Sequence, residues 1–582
     1  MRKFLLSMAL VLCTIGAMAQ STINFTFTRN GENATVNVEG ADGVTATIEA
    51  TSPSPQNNAT KTGIWNTGEK MGTDTNILCT STNTSAATTP ITYTLTVNGL
   101  NAYMNLSSVV FKHITANASG EYQPNSGDGR DTRHCNFVLD VNGSQVASKT
   151  DFDIWIQAAA GNTGKDVAFE GISGIKANDG TLTIKLSISK GTNNNGCFYG
   201  LKNVAITLVE PAFAISKQLT ATDLMNATEH IYIAIKNLSY TNNRWFVGNT
   251  GELPYSEEEF TNNAVFVWEP VTENTAGSYR LKKLNGDYMA AETRDNKEYV
   301  VFGTADEAVA FTATAPGTEE TFNGDADSKP YIADNNDANL VRFVKGSNWI
   351  NVQNGANGIP QYNDGKGGWT IHYVYELTEA EAYEASITDA GYATFYAPAN
   401  VEIPEGVKAY YITTEGVNTD YVSMTEITTG VIPANTAVVL EGTEDNYVFN
   451  VSDADATAVS GNLLKGTLTS TNVIGDAYVL SNPGEGVGLY KTQMTEIQLS
   501  STSGKVNVFL NNAGKAYLPA SAVPAAAQAS NGFRFGEGTT GIDEITDNRV
   551  QSTVIYDLTG RRVETISAPG IYIVGGKKVL VK

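Results

Sequence analysis

The sequence is short of cysteine and histidine, with four of each in 582 residues. The cysteines stand at 13, 79, 135 and 197, too far apart for a CxxC metal or redox pair or for a disulfide framework. Two readings of the later three stay open: one bridge, Cys135 to Cys197, since both lie in strand-like runs (CNFVLD, CFYGL), or three buried thiols. The histidines, His113, His134, His230 and His372, leave little for imidazole chemistry, and His372 in WTIHYVYEL reads as strand packing. HExxH, GxSxG and phosphate-binding glycine loops are missing; GISGI at 171–175 has a serine at the wrong glycine spacing. Positive charge is scarce too, 38 Lys and Arg against 61 Asp and Glu, net −23. Such a balance argues against nucleic acid and anionic membrane surfaces as partners. No apolar run after residue 20 is long enough to cross a bilayer as a helix. Long helical periodicity is almost absent, so what remains is all-β.

The first 19 residues have a basic start, an apolar run from Phe4 to Ile15 and the small-x-small triplet Ala17-Met18-Ala19. This pattern is a secretory signal peptide with cleavage expected after Ala19. Without Arg2 and Lys3, 36 bases face 61 acids, a net charge of −25. The length that follows suits three to four domains. Residues 20–210 run as strand after strand, with period-two alternation in Ile23-Phe25-Phe27 and Leu182-Ile184-Leu186-Ile188. Turns at NG (142–143) and NDG (178–180) join them as hairpins, and two half-apolar sheets must then close as a sandwich. The region resembles the jelly-roll modules of secreted bacterial glycan-processing proteins.

Residues 212–378 carry a cryptic threefold repeat. HIYIAIKN, GSYRLKKL and NLVRFVKG open the units and place Lys236, Lys283 and Lys345 in equivalent positions. Short strands with Trp245, Tyr288 or Trp349 follow, then Phe266, Phe311 or Trp369 further on. This beat resembles a β-trefoil, including those of ricin-type lectins, although the sugar-binding QxW signature of those lectins does not occur. EAEAYEAS (379–386) reads as a short helical linker. Residues 387–535 form a further β-rich region, similar through IPEGVKAYY and IPANTAVVLEG to a module often appended to surface proteins of Bacteroidetes. GEGTTGIDEITDNR (536–549) reads as a polar, exposed linker.

The last segment, 550–582, is locally basic. YDLTGRRV, PGIYIV and GKKVLVK follow in that order, and Gly575-Gly576 makes a hairpin turn. The order closely resembles the C-terminal sorting domain of type IX secretion cargo, with Leu558, Gly560, Val563, Gly570, Tyr572, Lys577 and Lys578 at the motif positions. The resemblance implies a small β-sandwich that engages the type IX secretion machinery. It also implies export across the outer membrane, cleavage near 536–549 and attachment to surface lipopolysaccharide, or release in some relatives.

No catalytic constellation stands out, so the favoured reading is a non-catalytic, cell-surface binding protein for glycans or glycoproteins, with no cofactor. Rings that stack on pyranose faces are the usual grip on sugar, and the candidates are Trp65, Tyr122, Trp155 and Tyr199. Trp155 alternates ambiguously with core residues. Calcium is the one metal to weigh. FNGDADSKPYIAD spaces Asn323, Asp325, Asp327 and Asp334 somewhat like an EF-hand loop, but with Ser328 where glycine belongs. NSGDGRD offers Asn125, Asp128 and Asp131, and solvated loops are the default for both. The alternatives are an adhesin that recognises host protein, or a hydrolase with an unrecognised site. Ligand, binding module and oligomeric state are not written in the sequence.

Overall fold

The computed structural model describes residues 20–30, 33–53, 60–62, 78–79, 89–116, 133–154, 165–194, 198–238, 244–246, 256–257, 259–271, 277–294, 297–316, 337–346, 348–350, 358–359, 370–418, 420–454, 456–484, 486–498, 505–528, 531–536, 542–544, 555–557, 561–563, 569–574 and 577–581. It is all-β, built from several separate, mainly antiparallel sheets. The α-helix among the described residues is one turn, Ala221–Met225, closed by a capping box between Thr220 and Asp223.

Two six-stranded sheets face each other across the first core. One carries Gln20–Asn30 beside Phe198–Val209, the other Ile91–Asn98 beside Leu182–Asn194. Alternation drives the burial: Ile91, Tyr93, Leu95 and Val97 are inside, while Thr92, Thr94 and Thr96 are half-buried. Asn142 and Gly143 both take positive φ, 49° and 85°, as a type I′ hairpin requires. Asp179 and Gly180, at 48° and 77°, repeat the device.

Six strands then close a ring. Ile231–Asn237 pairs with Val265–Pro270, which pairs with Tyr279–Lys283. A bridge from Tyr279 to Phe311 leads to Thr312–Thr314, then Leu340–Lys345, then His372–Glu379, which returns to Ile231–Asn237. Each repeat also has a short strand folded back on its opening strand. This is β-trefoil connectivity. The register corrects the lysine equivalence, since Lys236, Lys282 and Val344 stand opposite Trp245, Tyr288 and Trp349. Lys236 therefore corresponds to Lys282. The inward residues Ile235, Leu281 and Phe343 fix that phase.

The expected helix at 379–386 is absent. Ala382–Ile387 is a strand paired with Asp445–Asn450, and Ala385 and Ile387 on one face are buried. Alanine and glutamate favour helix locally, but cross-strand pairing and burial decide at such a site. The region that follows has two cores rather than one. Strand Val438–Glu441 separates them: Val438 and Leu440 face Phe395 and Phe449, while Val439 faces Tyr396 and Tyr478.

In the tail, the strands Ile555–Asp557, Arg562–Val563, Gly570–Val574 and Lys577–Val581 form one sheet. Part of the expected linker joins it, with Ile542–Glu544 parallel to Lys577–Val581. Backbone pairing recruits that segment, and its polar composition gave no sign of it.

Candidate functional site

Of the four rings proposed to stack on sugar, Trp65, Tyr122 and Trp155 lie outside the described residues. Tyr199 is fully buried, which removes it as a ligand platform. It stacks on His113 with ring centroids 5.2 Å apart and packs 6.1 Å from Tyr93 and Phe137. His113 donates from Nε2 to the Ile154 carbonyl at 3.1 Å, and burial pushes its pKa down to about 4. His372 is likewise buried, in the trefoil ring, and burial again pushes its pKa to about 4.

The loops carrying Asn323, Asp325, Asp327 and Asp334, and Asn125, Asp128 and Asp131, also lie outside the described residues. Among the described residues no group of three or more His, Cys, Asp or Glu is arranged to hold a metal ion. Cys135 is buried, and its proposed partner Cys197 is outside the description. Of the sorting positions, Leu558 and Gly560 are outside it. Val563 pairs with Ile555, Gly570 with Val581, Tyr572 with Val579 and with Asp557, Lys578 with Ile573 and Lys577 with Val574, all in the tail sheet.

The arrangement with the chemistry of recognition lies elsewhere, between the trefoil and the region after it. Ile233 and Ile235 point into the ring, so Ala234 and Lys236 point out of it. Lys236 is only 8% exposed. Its ammonium donates to Thr471 Oγ1 at 3.2 Å and Thr469 Oγ1 at 3.4 Å, and lies 5.2 Å from the Trp245 ring centroid. Loss of solvent pushes its pKa down to about 8. Facing it is the turn at Asn435, whose backbone is left-handed (φ 57°). The Asn435 amide donates to the Phe260 carbonyl at 3.1 Å and accepts from the Tyr396 hydroxyl at 2.8 Å, tying the two walls together. Gly466 leaves room for the Tyr396 ring, which a Cβ there would strike.

Between these walls is a cleft of about 650 Å³. Amides (Asn435, Asn462, Asn472), hydroxyls (Thr436, Thr467, Thr471) and two rings (Tyr396, Tyr517) line it, with Lys236, Arg244, Lys465 and the carboxylate of Glu259. Asn435 and Asn462 already bond within the protein, so the wall is polar and preorganised, with the half-buried Tyr517 ring as aromatic surface. No motif announces it, because its members are spread from 236 to 517 in sequence.

No family model matches the chain, and no curated protein matches it. Among solved structures, a receptor-binding domain of botulinum neurotoxin C/D mosaic serotype aligns over 60% of this chain and 92% of its own, at 9% identity and a TM-score of 0.14. So distant an alignment carries no weight on fold or ligand.

Proposed function

We propose that this chain is an exported, non-catalytic cell-surface protein that binds glycans or glycoproteins in the cleft between its trefoil and the region that follows. The observation that carries the reading is the cleft's lining of amides and hydroxyls with the half-buried Tyr517 ring, which suits the alternating apolar faces and hydroxyls of a saccharide. Among the described residues one carboxylate, Glu259, lines it, whereas glycoside hydrolysis in its common form uses two. Export rests on the signal-like start and on the tail's resemblance to type IX cargo. This reading puts the site on the trefoil's outer wall, whereas the ring candidates Trp65, Tyr122, Trp155 and Tyr199 belong to the sandwich region.

A glycan array probed with the whole chain tests the reading. Binding is expected, weakened about tenfold by Tyr517→Ala, which removes a lining ring. Silence across neutral and acidic glycans would sink it. Capture of a host protein that survives deglycosylation would favour the protein-binding adhesin instead. For export, surface proteolysis of whole cells should release the protein, and its purified C-terminus should fall near 536–549. A mature chain still ending at Lys582 in the cytoplasm would remove that part.

A further inference from the structure

Two other lysines of the trefoil, the buried Lys283 and the half-buried Lys345, have a carboxylate nearby. Lys283 lies 3.7 Å from Asp287, and Lys345 lies 2.6 Å from Glu298. Lys236 is as deeply placed, yet among the described residues its ammonium meets only two threonine hydroxyls and an indole face. A buried ammonium without a counter-charge is costly, because hydroxyls replace only part of its lost hydration. Among the described residues no carboxylate pairs with it. The chain as a whole has 61 acids to 38 bases, so an average surface would present more carboxylates than cations. Among the described residues that line the cleft the balance is reversed, with Lys236, Arg244 and Lys465 beside Glu259.

We infer that the cleft selects acidic saccharides, and that an anionic group on the sugar takes up the counter-charge position beside Lys236. This rests on the glycan reading of the cleft and narrows it to a ligand class. The shared chemistry is a carboxylate or sulfate on a carbohydrate ring. The hydroxyl and amide walls hold the ring, and the cation supplies the charge-assisted contact. Such a contact in a desolvated site contributes more than the same pair at an open surface.

The test is calorimetric titration of the whole chain with three probes. They are an oligogalacturonate, the same oligosaccharide as its methyl ester, and a sulfated oligosaccharide of similar length. The acid should bind and its ester should bind about thirtyfold or more weakly, as for loss of a buried charge-assisted contact. Binding of the carboxylate probe, the sulfate probe or both supports the inference and tells which anion the site takes. Lys236→Met should keep the melting temperature and lose most of the affinity for the acidic probe. Lys465→Glu, at an exposed position where folding is not at stake, should weaken that affinity as well. The inference is overturned if the ester binds as tightly as the acid, or if neither substitution changes the titration. Neutral glycans bound with no acidic probe bound would overturn it while leaving the broader glycan reading intact. No saccharide bound at all would remove both.

Discussion

His113 and His372 are neutral interior residues, and that sets how the molecule responds to acid. Burial holds each at about 4 in the folded chain against 6.5 when unfolded. Between those values the unfolded chain carries protons the folded one does not, so stability falls as pH drops from 6.5 towards 4. Each site accounts for about 3 kcal/mol over that window. Urea midpoints measured from pH 7 to pH 4 should fall, and His113→Gln should flatten the part of the curve that reports the sandwich. Lys236 acts at the other end. Its pKa is lowered to about 8, so a folding penalty is present below pH 8 and fades as pH rises from 8 to 10.5. Lys236→Met should abolish that rise and leave the protein at least as stable at pH 7. A stability curve unchanged between pH 8 and 10.5 in both proteins would contradict the burial argument. Gly466→Ala should cost about 1–3 kcal/mol by displacing the Tyr396 ring, and should also blunt ligand binding.

Among the elements, Val438–Glu441 is the one on which most depends, because its residues alternate between two cores. Leu440→Ala should cost about 2–5 kcal/mol in denaturant unfolding, a larger loss than at any exposed position of the same sheet. Residues 437–440, AVVL, are a continuous apolar run, the pattern of a strand covered on both faces. Half-covered strands were legible for the opposite reason: Thr92, Thr94 and Thr96 mark the outer face of Ile91–Asn98 plainly. The inward place of Tyr199 is hidden in the sequence because the pairing of its strand slips between Leu201 and Asn203, so strict alternation from Ile206 would turn it outward. The trefoil was legible from its beat, but insertions of unequal length blurred the register by one residue and hid the match of Lys236 to Lys282. The segment at 379–386 shows the limit of local propensity. Its partner, Asp445–Asn450, is some sixty residues away, beyond any window a helix reading uses. The cleft was invisible for the same reason on a larger scale, since contact order rather than motif assembles it.

Across the whole molecule, neighbouring parts are fastened by specific contacts. Lys176 of the sandwich pairs with Glu379, and Tyr103 meets Tyr232 edge-on with centroids 6.1 Å apart. Leu468 reaches across to pack with Trp245, Phe260 and Tyr375 of the trefoil, and Tyr383 donates to the Phe213 carbonyl at 2.8 Å. Calorimetry should therefore show the trefoil and the region after it melting together, with Leu440→Ala lowering the transition of both. Independent transitions, with the trefoil's unmoved by that substitution, would show the contacts to be too weak to couple them. The pairing of first and last strands has a mechanical corollary. Gln20 lies opposite Val209, and Phe213 opposite Glu379, so each module receives and releases the chain at one corner. Tension along the chain would open each module like a zip, loading one hydrogen-bonded pair at a time instead of shearing a whole ladder. The trefoil segment alone would then release roughly 550 Å of extended chain at low force, making it a yielding link in any chain under load.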